Sequence, residues 1–311
     1  MNLSQSLTPI LVVAGPTAAG KSNLSLAIAR EFDGEIVNAD SVQIYRHFDI
    51  GSAKLPAEQR EGIPHHLLDI VEPDAVFTAG DYARSARAVL GDTAARGKVP
   101  VVTGGTGFYI RALFDGLFEG PARDSELRTR LARREGRQPG SLHRWLTRFD
   151  PAAAARIHPH DVNKTVRALE ILLLARRPVS QLHAEGRDRL EGCRRLLFVL
   201  DPPREALYER IDARSRALFH AGLVDEVRTI LSRGYRRDAK PFESLGYVQA
   251  LGVVDGRLTI EEAIAETAMM TRRYAKRQRT WFRKEPDAIW IADFGENAIR
   301  PIVDRIRHWL A

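Results

Sequence analysis

The chain has 311 residues, 44% apolar and 28% charged, which allows one large domain or a core with a smaller companion. Its single cysteine, Cys193, excludes an internal disulfide and any paired-cysteine zinc pattern, as in a reducing cytoplasm. No apolar run approaches the ~20 residues that span a bilayer, and MNLSQSLTP lacks the basic stretch and apolar run of a secretory leader.

Taken in order, apolar runs alternate with helix-like segments. Ile10 to Ala14 reads as a buried strand and Ser22 to Phe32 as a helix. Glu35 to Ala39 is a second strand, ending at Asp40. Tyr82 to Arg96 carries apolar residues at helical spacing and stops at Gly97. Val99 to Thr103 is a third strand, running through GGTGFY into a helix from about Phe108. Residues 115–190 show no clear strand and read as several helices, punctuated at Gly136, Pro139-Gly140, Asp150-Pro151 and Pro159. Leu196 to Leu200 is a fourth strand, stopped by Asp201-Pro202-Pro203; Glu205 to Ala221 is a helix, and Ala288 to Ala292 another candidate strand. This alternation predicts an α/β fold: a P-loop NTPase-like parallel sheet with helices on both faces, plus an all-helical insertion domain. The expected division is a core of residues 1–116 and 195–311 around an insertion of 117–194.

Between the first strand and its helix lies GPTAAGKS, which fits G-x-x-x-x-G-K-[ST]. Its residues Gly15, Pro16, Thr17, Ala18, Ala19, Gly20, Lys21 and Ser22 form a candidate phosphate loop. The two glycines let the backbone turn so that N–H groups point inward at an anion, and the following helix adds its positive end. Lys21 supplies a full charge, and the Ser22 hydroxyl suits Mg²⁺. Thr17 either reaches an oxygen of the bound phosphates or holds the loop's shape. Asp40 ends the second strand, where side chains face the ligand crevice. A carboxylate there can bind Mg²⁺, accept a proton or cap the next helix. Thr106, after the third strand, either donates to a ligand or caps the helix of Tyr109 and Arg111.

Residues 272–284 read RRYAKRQRTWFRK, seven basic residues of thirteen and none acidic. On a helix Arg272, Lys276, Arg279 and Arg283 form one stripe, with Met270, Tyr274 and Trp281 on an adjacent apolar stripe facing the core. Residues 115–190 carry 15 Lys/Arg against 10 Asp/Glu, so these two segments exceed the chain's net +7 and the remainder carries −5. Charge this local is the footprint of a nucleic-acid partner, or a solvated basic face.

In this order GPTAAGKS, NADSVQIYRHFDIGSAK, HHLLDI, GGTGFY and AKRQRTWFR resemble the tRNA dimethylallyltransferases, also called tRNA isopentenyltransferases, the bacterial MiaA family. The resemblance covers residues 10 to 284. It implies transfer of a dimethylallyl group from dimethylallyl diphosphate to the exocyclic 6-amino nitrogen of the adenine at tRNA position 37, with release of diphosphate. It implies that Asp40 is the base, that Thr17, Lys21 and Arg214 act on the diphosphate, and that Mg²⁺ at Ser22 assists. Ser22 stands where many members have Thr; either hydroxyl binds Mg²⁺. The contacts it implies with the anticodon stem-loop begin with Asp40, Ser41, Val42, Gln43, Thr106 and Arg128. Asn163, Lys164, Thr165, Val166 and Arg167 follow in the insertion. Glu243, Ser244, Leu245, Gly246, Tyr247 and Val248 come next, then Lys276, Arg277, Gln278, Arg279, Thr280, Trp281, Phe282 and Arg283. A cytoplasmic monomer without membrane contact is expected. The alternatives are a P-loop kinase of small molecules, a prenyltransferase of free adenine nucleotides, and a non-catalytic RNA-binding module with a nucleotide switch.

Overall fold

The computed structural model describes residues 7–118 and 120–311; positions 1–6, part of the stretch read as no leader, lie outside them. The described residues fall into two compact units, Met1–Phe114 with Leu190–Ala311, and Asp115–Arg189. The first is built on six parallel strands: β1 (Thr8–Ala14), β2 (Gly34–Asn38), β3 (His65–His66), β4 (Val99–Gly104), β5 (Cys193–Leu200) and β6 (Ala288–Ile291). Their order is β3-β2-β4-β1-β5-β6. The third strand read from the sequence is therefore the fourth. The two-residue β3 pairs with Ile36 and Val37 and has no periodic signature.

β1 sits at the reversal of the sheet. Leu11 faces Val101 of β4 on one side and Leu196 of β5 on the other. The chain fills the β2 side first and returns later for β5 and β6, which opens a crevice at the carboxyl end of β1. The last five residues of β1 are buried, as expected of a parallel strand covered on both faces.

Helices α1 (Lys21–Glu31), α2 (Ala79–Ala95) and α3 (Gly107–Asp115) follow β1, β3 and β4. Thr78 and Asp81 form a capping box at the start of α2, and Gly97 ends it at φ +73°. The second unit holds α4 (Ser125–Arg137), α5 (Ser141–Phe149), α6 (Pro151–Ala154), α7 (Val162–Ala175) and α8 (Val179–Ala184). It has its own core of Leu131, Leu142, Leu146, Val166, Leu169, Ile171 and Leu182. Asp124, Asp150 and Asp161 cap α4, α6 and α7. Gly136, read as a helix break, lies inside α4; the break falls at Gly140, whose φ is +78°. Back in the first unit come α9 (Arg204–His220), α10 (Leu223–Ser232), α11 (Tyr247–Val254), α12 (Ile260–Phe282) and α13 (Ile299–Leu310). Leu24 and Ile28 of α1 and Ile302 and Ile306 of α13 pack in one cluster with Leu11, Val13, Val101 and Phe198. Ile10 and Val12, pointing the other way by strand alternation, are buried as well. No helix among the described residues is long and apolar enough to cross a membrane.

One buried carboxylate ties the β2 edge together. Glu35 accepts from His66 Nε2 at 2.7 Å, from Arg96 and from Thr93 Oγ1 at 3.3 Å. Burial pushes its carboxyl up, but the bonds from His66 and Arg96 outweigh this and hold it below the usual range. A depressed folded pKa stabilises above the unfolded value and is lost as pH falls through the folded one. Glu35→Gln should therefore cost about 1–3 kcal/mol at neutral pH and flatten the acid limb of the stability curve, read by denaturant unfolding at pH 7 and pH 4.

Candidate active site

The loop after β1 reverses the chain by mixing backbone hands. Gly15, Ala18 and Gly20 have φ of +139°, +64° and +85°. Ala18 adopts the left-handed region at a cost of about 1–2 kcal/mol, a sign that the loop's shape is enforced. No side chain caps α1, which starts at Lys21 directly behind Gly20. Its first N–H groups are left for an anion.

Around this loop opens a cleft of about 800 Å³. Lys21 Nζ donates to the Pro16 carbonyl at 2.7 Å. Burial, then the charge of Arg214, lower its pKa to about 8, partly offset by Asp40. Arg214, reaching in from α9, is itself held below its usual value by burial, with Asp40 opposing. Among the described residues neither cation forms an ion pair.

Asp40 both caps and remains available. Its Oδ1 accepts from the Val42 N–H at 2.8 Å and the Gln43 N–H at 3.4 Å, while Oδ2 has no hydrogen-bond partner among the described residues. Ser41, Val42 and Gln43 line the same cleft, as do Thr17, Ser22, Glu243, Ser244, Leu245 and Arg277. Thr106 sits behind them: its hydroxyl accepts from the Ser41 N–H at 3.1 Å, and its carbonyl accepts from the Tyr109 N–H at 2.9 Å at the start of α3.

The basic helix α12 is turned differently from its sequence reading. Thr267, Met270, Thr271, Tyr274, Arg277 and Gln278 line the cleft; Ala275 and Phe282 are in the core. Arg272 binds both oxygens of Asp212 at 2.7 Å, and Arg279 pairs with Asp201. Those two members of the expected basic stripe are thus spent on α9 and the end of β5, whereas Arg273, Lys276, Arg277, Thr280 and Arg283 are exposed. Tyr274 was expected in the core stripe. It is a cleft residue whose hydroxyl is pushed up to about 12 by burial and by the charge of Asp40.

Gln278, expected at the RNA, is buried. Its Oε1 accepts from the Thr17 N–H at 3.0 Å, and its Nε2 donates to the Gly105 carbonyl at 2.9 Å. A methyl group at Gly105 would strike that amide, so the glycine is required by close approach. Three other residues expected at the RNA have packing roles. Phe282 is in the core, Trp281 stacks under Arg111 at 4.4 Å, and Tyr247 is fully buried. The Tyr247 hydroxyl donates to Glu226 at 2.6 Å, and Glu226 in turn accepts from the Ile50 N–H at 2.7 Å. Val248, beside it, is exposed.

In the helical unit, Asn163 and Lys164 are exposed at the start of α7, whereas Thr165 and Val166 are buried. Arg128 and Arg167 both meet the buried carboxylate of Glu170, at 3.1 Å and 2.7 Å, which holds their guanidinium groups in place.

A parallel sheet reversing at β1, with an uncapped helix and two buried cations beside it, defines a P-loop-type protein. Residues 43–285 match the family model described as IPP transferase. A protein of Solibacter usitatus called tRNA dimethylallyltransferase is 59% identical over 287 residues, 92% of this chain and 94% of its own length. The crystal structure of a tRNA isopentenylpyrophosphate transferase from Bacillus halodurans aligns with a TM-score of 0.70 at 34% identity, covering 96% of both chains. A eukaryotic dimethylallyltransferase acting on tRNA aligns with a TM-score of 0.79 at 26% identity, over 92% of this chain and 74% of that one. The chain belongs to the IPP transferase family.

The lowered pKa of Lys21 has a direct consequence for anion binding. Only the ammonium form attracts a phosphate, so affinity for inorganic diphosphate should fall as pH rises through about 8. Calorimetric titrations from pH 7 to 9.5 should show this loss in the native protein and a smaller one in Lys21→Arg, whose charge persists.

Proposed function

We propose that this enzyme transfers a dimethylallyl group from dimethylallyl diphosphate to the exocyclic 6-amino nitrogen of the adenine at tRNA position 37, releasing diphosphate. One observation carries the reading: Lys21 and Arg214 share a cleft with the unpartnered oxygen of Asp40, one end suited to a polyanion and the other to a proton.

The reaction needs both ends. The lone pair of an exocyclic adenine amine is delocalised into the ring, so the amine is a weak nucleophile. As that nitrogen closes on the allylic carbon, its proton passes to Asp40, a form of help typically worth about 10²–10⁴-fold. The carbon–oxygen bond breaks and its electron pair leaves on the diphosphate. Lys21, Arg214 and the loop N–H groups offset the charge that grows there, and the Thr17 hydroxyl would donate to the bridging oxygen. Tyr274 keeps its proton and serves as a donor at the cleft wall.

Mg²⁺ fits this site. The Ser22 hydroxyl opens into the cleft next to Lys21, a hard oxygen donor of the kind the ion uses together with phosphate oxygens and water. Bound there, it would add positive charge to the leaving group.

For RNA, the target base has to leave its stack to enter the cleft. The exposed Lys276, Arg277 and Arg283 on α12, and Arg128, Asn163, Lys164 and Arg167 of the helical unit, would hold the anticodon stem-loop mainly by its phosphates. The protein is read as a monomer working in the cytoplasm. A small-molecule kinase would have little use for this RNA-directed surface, and it would consume ATP.

The test is incubation with labelled dimethylallyl diphosphate, Mg²⁺ and unmodified tRNA, followed by nucleoside mass analysis. Prenylated adenosine and free diphosphate are expected; a requirement for ATP hydrolysis would oppose the proposal. Asp40→Asn should keep tRNA affinity while kcat drops about 10²–10⁴-fold, and full activity in that variant would remove the assigned base. Replacing Lys276 and Arg277 together by Ala should weaken tRNA binding and lower its salt slope by about 1–2. Arg272→Ala, by contrast, should act first on thermal stability, because it strands Asp212.

A further inference from the structure

The strands hold the two ends of the proposed reaction together only as far as their ladders run. β4 lies between β1 and β2, and its pairing stops at Gly104 opposite Ala14 on one side and at Thr103 opposite Asn38 on the other. Thr17 and Asp40 both lie past those points, on loops that no strand pairing joins among the described residues. We infer that Gln278 is a positioning residue: its amide sets the spacing between the phosphate loop and the segment carrying Asp40, and so the approach of amine and leaving group. This rests on the proposed transfer reaction.

Gln278 reaches in from α12 and spans the first gap. Its Oε1 accepts from the Thr17 N–H at 3.0 Å, and its Nε2 donates to the Gly105 carbonyl at 2.9 Å. A donor faces one end of the amide and an acceptor the other, so a single orientation satisfies both. The side chain is 5% exposed, so water does not replace either bond if it is lost. Gly105 keeps the contact short, since a methyl group there would strike Nε2. Thr106, the next residue of that loop, spans the second gap. Its N–H donates to the Ala39 carbonyl at 3.2 Å and its hydroxyl accepts from the Ser41 N–H at 3.1 Å, which brackets Asp40 on both sides. Gly104 packs so closely on Ala39 that a methyl group would meet the Ala39 carbonyl. The link therefore runs unbroken from Thr17 through Gln278, Gly105 and Thr106 to the residues either side of Asp40.

The chemistry gives this spacing its weight. Transfer brings the adenine nitrogen onto the allylic carbon while Asp40 takes the amine's proton and the diphosphate leaves. Asp40 belongs to one loop and the diphosphate to the other, so a displacement between the loops misaligns the one step in which both take part. A misplacement of about 1 Å costs about 10²-fold in rate. Each substrate still finds its own half of the site, so the loss falls on kcat rather than on either KM. Gln278 thus acts on the reaction through Thr17 and Gly105.

The experiment is steady-state kinetics on the full chain with dimethylallyl diphosphate, Mg²⁺ and unmodified tRNA. Gln278→Met fills the same space without either hydrogen bond. Its kcat should fall about 10²-fold while both KM values stay within about threefold. Gln278→Glu, whose carboxylate still accepts from the Thr17 N–H but has no donor for the Gly105 carbonyl, should show the same split; it covers the case in which the Met variant does not fold. Thr106→Ala removes the hydroxyl that holds Ser41. Combined with Gln278→Met it should cost little more in kcat than the worse single change, because residues acting as one unit are not additive. Unchanged kcat in a folded Gln278 variant would overturn the inference. So would a loss confined to the KM for tRNA, which would return Gln278 to the RNA, or one confined to the KM for the prenyl donor. Multiplicative kcat losses in the double variant would also overturn it. A native protein that prenylates no adenosine would instead overturn the proposed reaction.

Discussion

The structure depends on one imbalance of charge. Lys21 and Arg214 enter one cleft, each disfavoured by burial, and the charge of Asp40 opposes this on both. Such a site is unfavourable when empty and favourable when a polyanion fills it, because the same desolvation that lowers the pKa of Lys21 strengthens its attraction for phosphate. The surrounding fold maintains this arrangement. The reversal of the sheet at β1 opens the crevice, the left-handed backbone at Gly15, Ala18 and Gly20 turns the loop inward, and α1 presents an uncapped end. In the proposed reaction the anion then departs carrying the electron pair of the broken bond, so the stored electrostatic demand acts where charge grows.

Helix α12 connects this demand to the surface proposed for the RNA. Its arginines at 272 and 279 anchor it to acids on α9 and after β5, its face at Tyr274 and Gln278 forms a wall of the cleft, and its remaining basic residues are exposed. Gln278 bridges Thr17 and Gly105, so the helix proposed to face the RNA also holds the loop proposed to take the diphosphate. A shift of α12 would therefore disturb both substrates together.

The parts legible in sequence are those with a local signature. The phosphate loop, the strand ending at Asp40 and the helical insertion follow from glycine spacing, apolar runs and the absence of strand patterns, and their bounds in the structure differ by a residue or a few. Arg214 is one arginine among several on α9, and only the family resemblance singled it out. What sequence could not show was the rotation of α12. Seven basic residues among thirteen hide which of them meet acids, because Asp201 and Asp212 come from other elements and no local rule pairs them. Tyr274 and Met270 were assigned to a core stripe and Gln278 to the RNA, although their recurrence at the helical spacing of four already put them on one face. β3 was missed because two histidines carry no period, and nothing in the run ESLGYV shows that the Tyr247 hydroxyl meets Glu226 of α10.

The most direct measurement of the central claim is a crystal structure with a non-cleavable prenyl diphosphate analogue and an anticodon stem-loop RNA. The account predicts both phosphates against Lys21, Arg214 and the loop N–H groups, with the amino nitrogen of a flipped adenine within hydrogen-bond reach of Asp40 Oδ2. Phosphates bound elsewhere, or Asp40 facing solvent with the adenine out of its reach, would contradict it.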